Sequence, residues 1–136
     1  MGWALPTAYY VVGVGALGIT SKLALRTLPW QDLLLWSGLG YIVVATALVV
    51  SGRASLRLTA DGGWAAVSAA LAITSLVALY VALNTGKASV VVPVTAAYPA
   101  VTLVLAAAFL DERITLAKAA GAALVIGGVV LLTVSD

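Results

Sequence analysis

Cysteine and histidine are both absent from this chain of 136 residues. Without cysteine there is no disulfide and no thiol chemistry, and without histidine the commonest metal ligand and general base is missing. Hydrolysis by a serine that histidine activates is excluded on residue type alone. We therefore expect no metal site, no cofactor and no enzymatic activity.

Charged residues are scarce as well, with seven cations against five anions. The sequence has no cluster of lysines and arginines of the kind that binds nucleic acid or anionic lipid, so nucleic acid is not an expected partner. Apolar residues make up 63% of the chain, and the mean hydropathy is +1.16. This composition is too apolar for a soluble domain of this size and indicates an integral membrane protein.

The apolar residues fall into five runs, each about the 20 residues that a helix needs to cross a bilayer. Lipid cannot satisfy open backbone groups, so only helices and closed barrels cross it. The sequence therefore predicts an all-α membrane protein with five transmembrane helices in an antiparallel bundle, forming a single domain. The predicted spans are about 6–25, 32–50, 64–83, 88–110 and 115–134. The N-terminus lacks the positive region of a cleaved signal peptide, so we expect it to be retained.

Roles connected with packing, charge and capping are predicted for three residues in the first two spans. Gly13 is one of several small residues that would let the first helix pack closely on a neighbour. Lys22, near the other end of that helix, has two interpretations: its ammonium extends to the lipid headgroups, or it faces a wet cavity. Asp32 is expected to cap the second helix or to interact with its N-terminal dipole.

The fourth span has the pattern that points most directly to a solute path. Thr95, Tyr98 and Thr102 are spaced so that three hydroxyl side chains fall on one face of a helix. Pro93 and Pro99 each remove a backbone donor and clash with the carbonyl four residues before. The helix should therefore bend or open near the middle of the membrane and expose carbonyls to a solute. The alternative is a kinked packing helix whose hydroxyls bond to their own backbone.

The fifth span opens with Thr115, which is a plausible N-cap. Its small residues are expected to pack against another helix, because glycine offers no chemistry of its own. Ala117, Gly121 and Gly128 share one stripe of this helix, and Ala123 and Gly127 form a second small-residue pair. The preceding charges at 111–113 are expected to form a solvated turn.

The distribution of cations decides the orientation only weakly. The face with the N-terminus has one cation more than the opposite face, or two more with the terminal amine, which favours a cytoplasmic N-terminus. So small a bias would also allow subunits of opposite orientation to pair. The cations on the first face are Arg53, Arg57, Arg113 and Lys118, and those on the second are Lys22, Arg26 and Lys87.

Several short motifs in the C-terminal part of the chain occur together in a characteristic order. They are AL-x-x-GKAS-x-V-x-P at 82–93, YP at 98–99, L-x-ER at 110–113 and LAKAAGAALVIGGVVLL at 116–132. In this order and spacing they resemble the EamA-type half of the drug/metabolite transporter superfamily. The upstream segment SKLALR at 21–26 agrees more loosely.

The resemblance implies transport of a small metabolite or drug-like compound by alternating access in a membrane, with a prokaryotic inner membrane as the expected location. Larger members carry two five-helix repeats of inverted topology, and this chain resembles one repeat. A second copy would supply the other half, most simply in an antiparallel homodimer. Proton-coupled small multidrug members depend on a carboxylate deep in the first helix, and the first span here contains none, so proton antiport is not carried over.

The preferred hypothesis is thus a transporter subunit for a neutral or zwitterionic solute. Its candidate path residues are Tyr98, Thr95, Thr102, Pro93, Pro99, Tyr10, Trp36, Tyr41, Tyr80 and Lys22, and its candidate packing residues are Gly13, Gly121, Gly127 and Gly128. One alternative is a flippase subunit for a lipid-linked substrate, which requires a lateral opening to lipid. Another is a membrane assembly or accessory protein that transports nothing, in which small-residue packing is the whole function.

Overall fold

The computed structural model describes residues 2–55 and 59–134, so Arg57 lies outside the described residues. Within these ranges every regular element is a helix, and five helical segments are long and apolar enough to cross a membrane. This confirms the predicted fold class. The helices are α1 (Ala4–Ala24), α2 (Trp30–Val50), α3 (Ala60–Thr85), α4 (Ala88–Thr95), α5 (Tyr98–Phe109) and α6 (Leu116–Val134), with α4 and α5 together forming the fourth span.

The helices form two compact units, Met1–Thr85 and Gly86–Asp136. In the first unit α3 is the central helix, since it packs against both α1 and α2. In the second unit α6 packs against both α4 and α5. Each unit is thus built around one helix that contacts the other helical elements of its unit.

Large apolar side chains point outward in both units. Leu5 is 83% exposed in the first unit and Leu116 is 88% exposed in the second, whereas Tyr80 and Leu83 are almost fully buried. In water, exposure of so much apolar surface would cost a large free energy. In a bilayer it costs little, because the hydrocarbon is as apolar as these side chains. The exposed faces are therefore suited to lipid or to another membrane helix.

The helix ends test two of the predicted caps. The backbone N–H of Lys118 donates to the Thr115 hydroxyl at 3.3 Å, directly before α6, which confirms Thr115 as the N-cap. Of the two roles expected for Asp32, capping is wrong, because α2 begins earlier, after Pro29, and has no side-chain cap, and the interaction with the helix dipole is the one that fits. Asp32 lies in the first turn instead, where a carboxylate is favoured by the helix dipole.

Candidate functional site

The fourth span is interrupted between Thr95 and Tyr98, at the two alanines that separate α4 from α5. The N–H of Ala96 donates to the Pro93 carbonyl at 2.9 Å, and the N–H of Ala97 donates to the Val94 carbonyl at 3.1 Å. These bonds span three residues rather than four, so the turn is tighter than an α-helix. The interruption predicted from the prolines is present.

Pro99 explains the position of this interruption. It lies at the start of α5, where a proline is tolerated because the first amides of a helix have no partner within the helix. Having no N–H, it gives nothing to the carbonyl of Thr95, four residues before. Pro93, in contrast, lies inside α4, and that helix continues for two residues beyond it. Pro99 thus accounts for the position of the break better than Pro93 does.

The threonine hydroxyls of this span bond to their own backbone. Thr95 Oγ1 donates to the Val92 carbonyl at 2.6 Å, and Thr102 Oγ1 donates to the Tyr98 carbonyl at 3.1 Å. This is the arrangement of the kinked packing helix, the alternative interpretation. A hydroxyl that donates in this way still has lone pairs, so each threonine remains able to accept a hydrogen bond from a solute.

Tyr98 and Thr102 lie together on a groove of the second unit. The groove has a volume of about 470 Å³ and runs between α5 and α6, where Gly121 and Val125 form part of the opposite wall. The Tyr98 side chain is 58% exposed, so its hydroxyl is accessible from outside the unit. Thr95 is not part of the groove lining, and the break in the helix separates it from the other two hydroxyls.

One end of this groove carries a charged side chain. Lys118 lines the groove, and its ammonium lies 3.6 Å from a carboxylate oxygen of Glu112. Both side chains are about half exposed, so this ion pair contributes little to stability. The remainder of the lining consists mainly of apolar side chains, and the groove therefore offers two hydroxyls and one ion pair to a bound molecule.

Tyr80 occupies a different environment from the other candidate aromatic residues. Its side chain is only 1% exposed, and its hydroxyl lies 2.6 Å from the Ser37 hydroxyl. Ser37 Oγ donates to the Leu33 carbonyl at 3.0 Å, so Tyr80 is the donor to Ser37. Tyr80 joins α3 to α2 and, in this conformation, does not reach a surface.

Lys22 has a partner that neither interpretation of the sequence included. Its Nζ donates to the carbonyl of Leu83 at 2.7 Å, in the last turn of α3. The final carbonyls of a helix lack partners within the helix and carry partial negative charge, so a nearby ammonium stabilises them. Lys22 thereby links the ends of α1 and α3.

The other candidate residues of the first unit lie on its surface. Tyr10, Trp36 and Tyr41 are all more than half exposed. Tyr41 also lines a groove of about 530 Å³ between α2 and α3, together with Ser37 and mainly apolar side chains. No sequence pattern points to Ser37 or to the Leu83 carbonyl, because each acquires its partner only through packing between helices far apart along the chain.

The predicted packing glycines have open space beside them. A Cβ atom built on any of these glycines would meet no other atom within 4 Å, apart from its own helix backbone and chain neighbours. They are Gly13 in α1 and Gly121, Gly127 and Gly128 in α6. No other part of the described chain therefore packs closely on these faces.

Comparison with known proteins agrees with a membrane transporter. The sequence model of the EamA-like transporter family matches residues 2–134. An uncharacterized protein of Methanocaldococcus jannaschii is 42% identical over 73 residues, which cover 54% of this chain and 53% of that protein. The chain thus spans about half the length of the known relative that it matches. No solved structure matches the chain.

Proposed function

The chain belongs to the EamA-like transporter family, and from this premise we propose that it is one subunit of a transporter that moves a small metabolite or drug-like solute by alternating access. The proposal assigns the solute contact to the groove between α5 and α6. Its main support is the open groove that Tyr98 and Thr102 line, which begins directly after the break in the middle of an apolar span. Irregular backbone at such a depth is tolerated where it is buried in protein or lines a cavity.

The chemistry of the groove favours a neutral or zwitterionic solute. The Tyr98 hydroxyl can donate and accept hydrogen bonds, and the Thr102 hydroxyl can accept one while it donates to its own helix. The charges at the end of the groove, Lys118 and Glu112, are of opposite sign and already paired. A solute with a large net charge would meet mostly apolar walls and would lose its hydration without compensation.

We further propose that a second copy of the chain completes the path. One copy leaves the groove open, and within its own unit it leaves open space beside Gly13 of α1 and beside Gly127 and Gly128 of α6. An antiparallel pair would supply an inverted repeat, and the weak bias of the cations permits both orientations. The same proposal places the protein in the inner membrane. The N-terminus lies in the cytoplasm either in all copies or, in an antiparallel pair, in one copy of the two.

Transport can be tested with a mixture of candidate solutes. The full chain is reconstituted into lipid vesicles and exposed to a defined mixture of amino acids, betaines, amines and sugars, and the compounds retained are identified by mass spectrometry. We expect at least one compound to accumulate above empty vesicles. Tyr98→Ala should reduce its uptake about tenfold or more, since loss of a hydrogen-bonding group at the solute removes on the order of 1.4 kcal/mol.

The matched control for Tyr98→Ala is Tyr9→Ala, which removes an exposed tyrosine far along the chain from the groove. Tyr9→Ala should leave uptake of the same compound unchanged. Normal uptake of that compound by Tyr98→Ala would show that the path lies elsewhere. The orientation of the subunits is tested separately, by mapping both termini in the native membrane and cross-linking neighbouring copies.

A flippase for a lipid-linked substrate is the second candidate, and the groove between α2 and α3 favours it. This groove is almost wholly apolar, and Tyr41 is among its few polar residues, which suits a lipid tail with a polar group. Vesicles that contain a fluorescent lipid-linked sugar distinguish the candidates. Protein-dependent exposure of that lipid to a quencher, without uptake of any soluble compound, would favour the flippase.

A further inference from the structure

The most tightly packed part of the first unit lies where the ends of α1 and α3 meet. Ser21 is 3% exposed, Tyr80 is 1% exposed and Leu83 is fully buried. In α2, by comparison, no residue is fully buried, and most of its large apolar side chains are exposed. Close packing in this unit is therefore concentrated at one end.

Two polar contacts hold this end together. The Lys22 ammonium bonds to the Leu83 carbonyl at 2.7 Å and joins α1 to α3. The Tyr80 hydroxyl bonds to Ser37 at 2.6 Å and joins α3 to α2. We refer to these four residues as the Lys22 clasp. Through it, one central helix is attached to both of its neighbours at nearly the same level, since Tyr80 and Leu83 are one turn apart.

The chemistry of the clasp permits it to open. Lys22 lies in the last turn of α1, near the end of a membrane span, so its long side chain can exchange the carbonyl for water or a headgroup. The Leu83 carbonyl belongs to the last turn of α3, where carbonyls commonly bond to water. Opening of the clasp therefore leaves no unsolvated charge in the hydrocarbon. Opening of an ion pair at the centre of the span would leave such charges there.

From these observations we propose that the Lys22 clasp is a gate: closed, it seals this end of the first unit against water, and it opens during the transport cycle. The gate rests on the transporter function proposed above. Lys22 and Tyr80 are then positioning residues, which act through the separation of α1, α2 and α3 and do not contact the solute in the closed state.

Labelling of single cysteines tests the seal directly, because the chain has no cysteine of its own. Ser21→Cys places a thiol at the buried position, and Thr27→Cys places one at an exposed position beyond the end of α1. Each full-length variant is reconstituted into vesicles and treated with a membrane-impermeant maleimide, without any solute. We expect the thiol at position 21 to react about tenfold more slowly than the thiol at position 27, as expected for a protected site.

Removal of the ammonium should break the seal. Adding Lys22→Met to Ser21→Cys should raise the labelling rate about fivefold or more, because local opening exposes a buried site. Lys22→Arg, which retains a cation, should keep labelling slow. Arg26→Gln is the matched control, since Arg26 is an exposed cation one turn further along, and it should also keep labelling slow. The rate at position 27 should not change in any variant.

Tyr80→Phe gives an independent test, because it keeps the packed ring and removes only the bond to Ser37. It should raise labelling at position 21 by a smaller factor than Lys22→Met. If Lys22→Met does not fold, as judged by gel filtration and circular dichroism, Tyr80→Phe decides the outcome. Unchanged slow labelling in the folded variants would overturn the proposal.

Transport by the same variants separates the gate from the path. Lys22→Met should lose retention of whichever compound the parent protein takes up, because a broken seal lets that compound leak back out of the vesicles. Fast labelling combined with normal accumulation would overturn the gate. Tyr98→Ala should lose uptake while labelling at position 21 stays slow. The labelling assay needs no solute, so failure of the proposed transport function would not be mistaken for failure of the seal.

Discussion

At the scale of single residues, two positions among residues 2–55 and 59–134 have a left-handed backbone conformation, and both end a helix. Gly52 has φ 69° and Asp111 has φ 51°. After α2, the N–H of Gly52 donates to the Val49 carbonyl and the N–H of Arg53 donates to the Leu48 carbonyl, each at 3.0 Å. This pair of bonds is the Schellman motif, which satisfies the last carbonyls of a helix and requires a residue at positive φ.

Gly52 should therefore be sensitive to substitution although nothing crowds it. A Cβ atom at this position would meet no atom within 4 Å, so any cost of Gly52→Ala comes from the backbone alone. We expect Gly52→Ala to lower the free energy of unfolding by about 1 to 2 kcal/mol, the cost of a left-handed L-residue. Gly63→Ala is the control, because Gly63 lies inside α3 and also has open space beside it.

Unfolding of both variants in detergent, followed by circular dichroism, measures this difference. Gly63→Ala should be neutral or should stabilise the protein by up to about 1 kcal/mol, since alanine is the better helix former. Equal stability of the two variants would contradict the role of the left-handed turn.

At the scale of the helices, the two prolines of the fourth span have different consequences. Pro93 is accommodated inside α4. The break between α4 and α5, in contrast, lies directly before Tyr98, the residue that precedes Pro99. A proline inside a helix costs about 3 kcal/mol relative to alanine, but much less in the first turn. The break thus places Pro99 where its missing N–H is least harmful.

Pro99→Ala should allow a continuous fourth helix. The new N–H can donate to the Thr95 carbonyl and restore the regular pattern of bonds across the two alanines. We expect spin labels placed in α4 and α5 to move apart as the break straightens, and we expect transport to fall. Pro93→Ala should leave the distance between the labels nearly unchanged. If Pro93→Ala straightens the fourth span and Pro99→Ala does not, the break is caused by Pro93 and not by Pro99.

Hydropathy and proline positions predicted the helices well because both act locally. Each span is apolar along its whole length, and a proline affects only its own turn and the preceding one. The contacts between helices were not predictable in the same way. Lys22 is separated from Leu83 by 61 positions and Ser37 from Tyr80 by 43, and no spacing rule connects residues so far apart. The same limitation left Tyr80 among the candidates for an open path, although its side chain is buried.

At the scale of the whole molecule, each unit has outward faces that no other helix of the same unit covers. Large apolar side chains and open glycines occur together on α6, where Leu124 is 77% exposed and Gly128 has no atom near its missing side chain. Lipid can cover apolar side chains of any shape, but close approach of two helices requires small residues at the contact. The glycines therefore distinguish a face for another helix from a face for lipid.

Gly128→Leu tests whether a second copy packs on that face. The added side chain meets open space within its own chain, so the fold and thermal stability of the monomer in detergent should be retained. In a dimer that packs through Gly128 it would separate the two backbones. We expect the dissociation constant in vesicles, measured by energy transfer between labelled copies on dilution into lipid, to rise about tenfold or more, which corresponds to about 1.4 kcal/mol.

The control is Val130→Leu, which adds volume to a half-exposed residue on nearly the opposite side of α6, two positions along the helix. It should leave the dissociation constant unchanged. If both variants dimerise as the parent does, lipid covers the Gly128 face, and the inverted repeat must pack elsewhere. If Gly128→Leu dissociates the dimer and also abolishes uptake of the transported compound, transport requires two copies, because each copy remains folded.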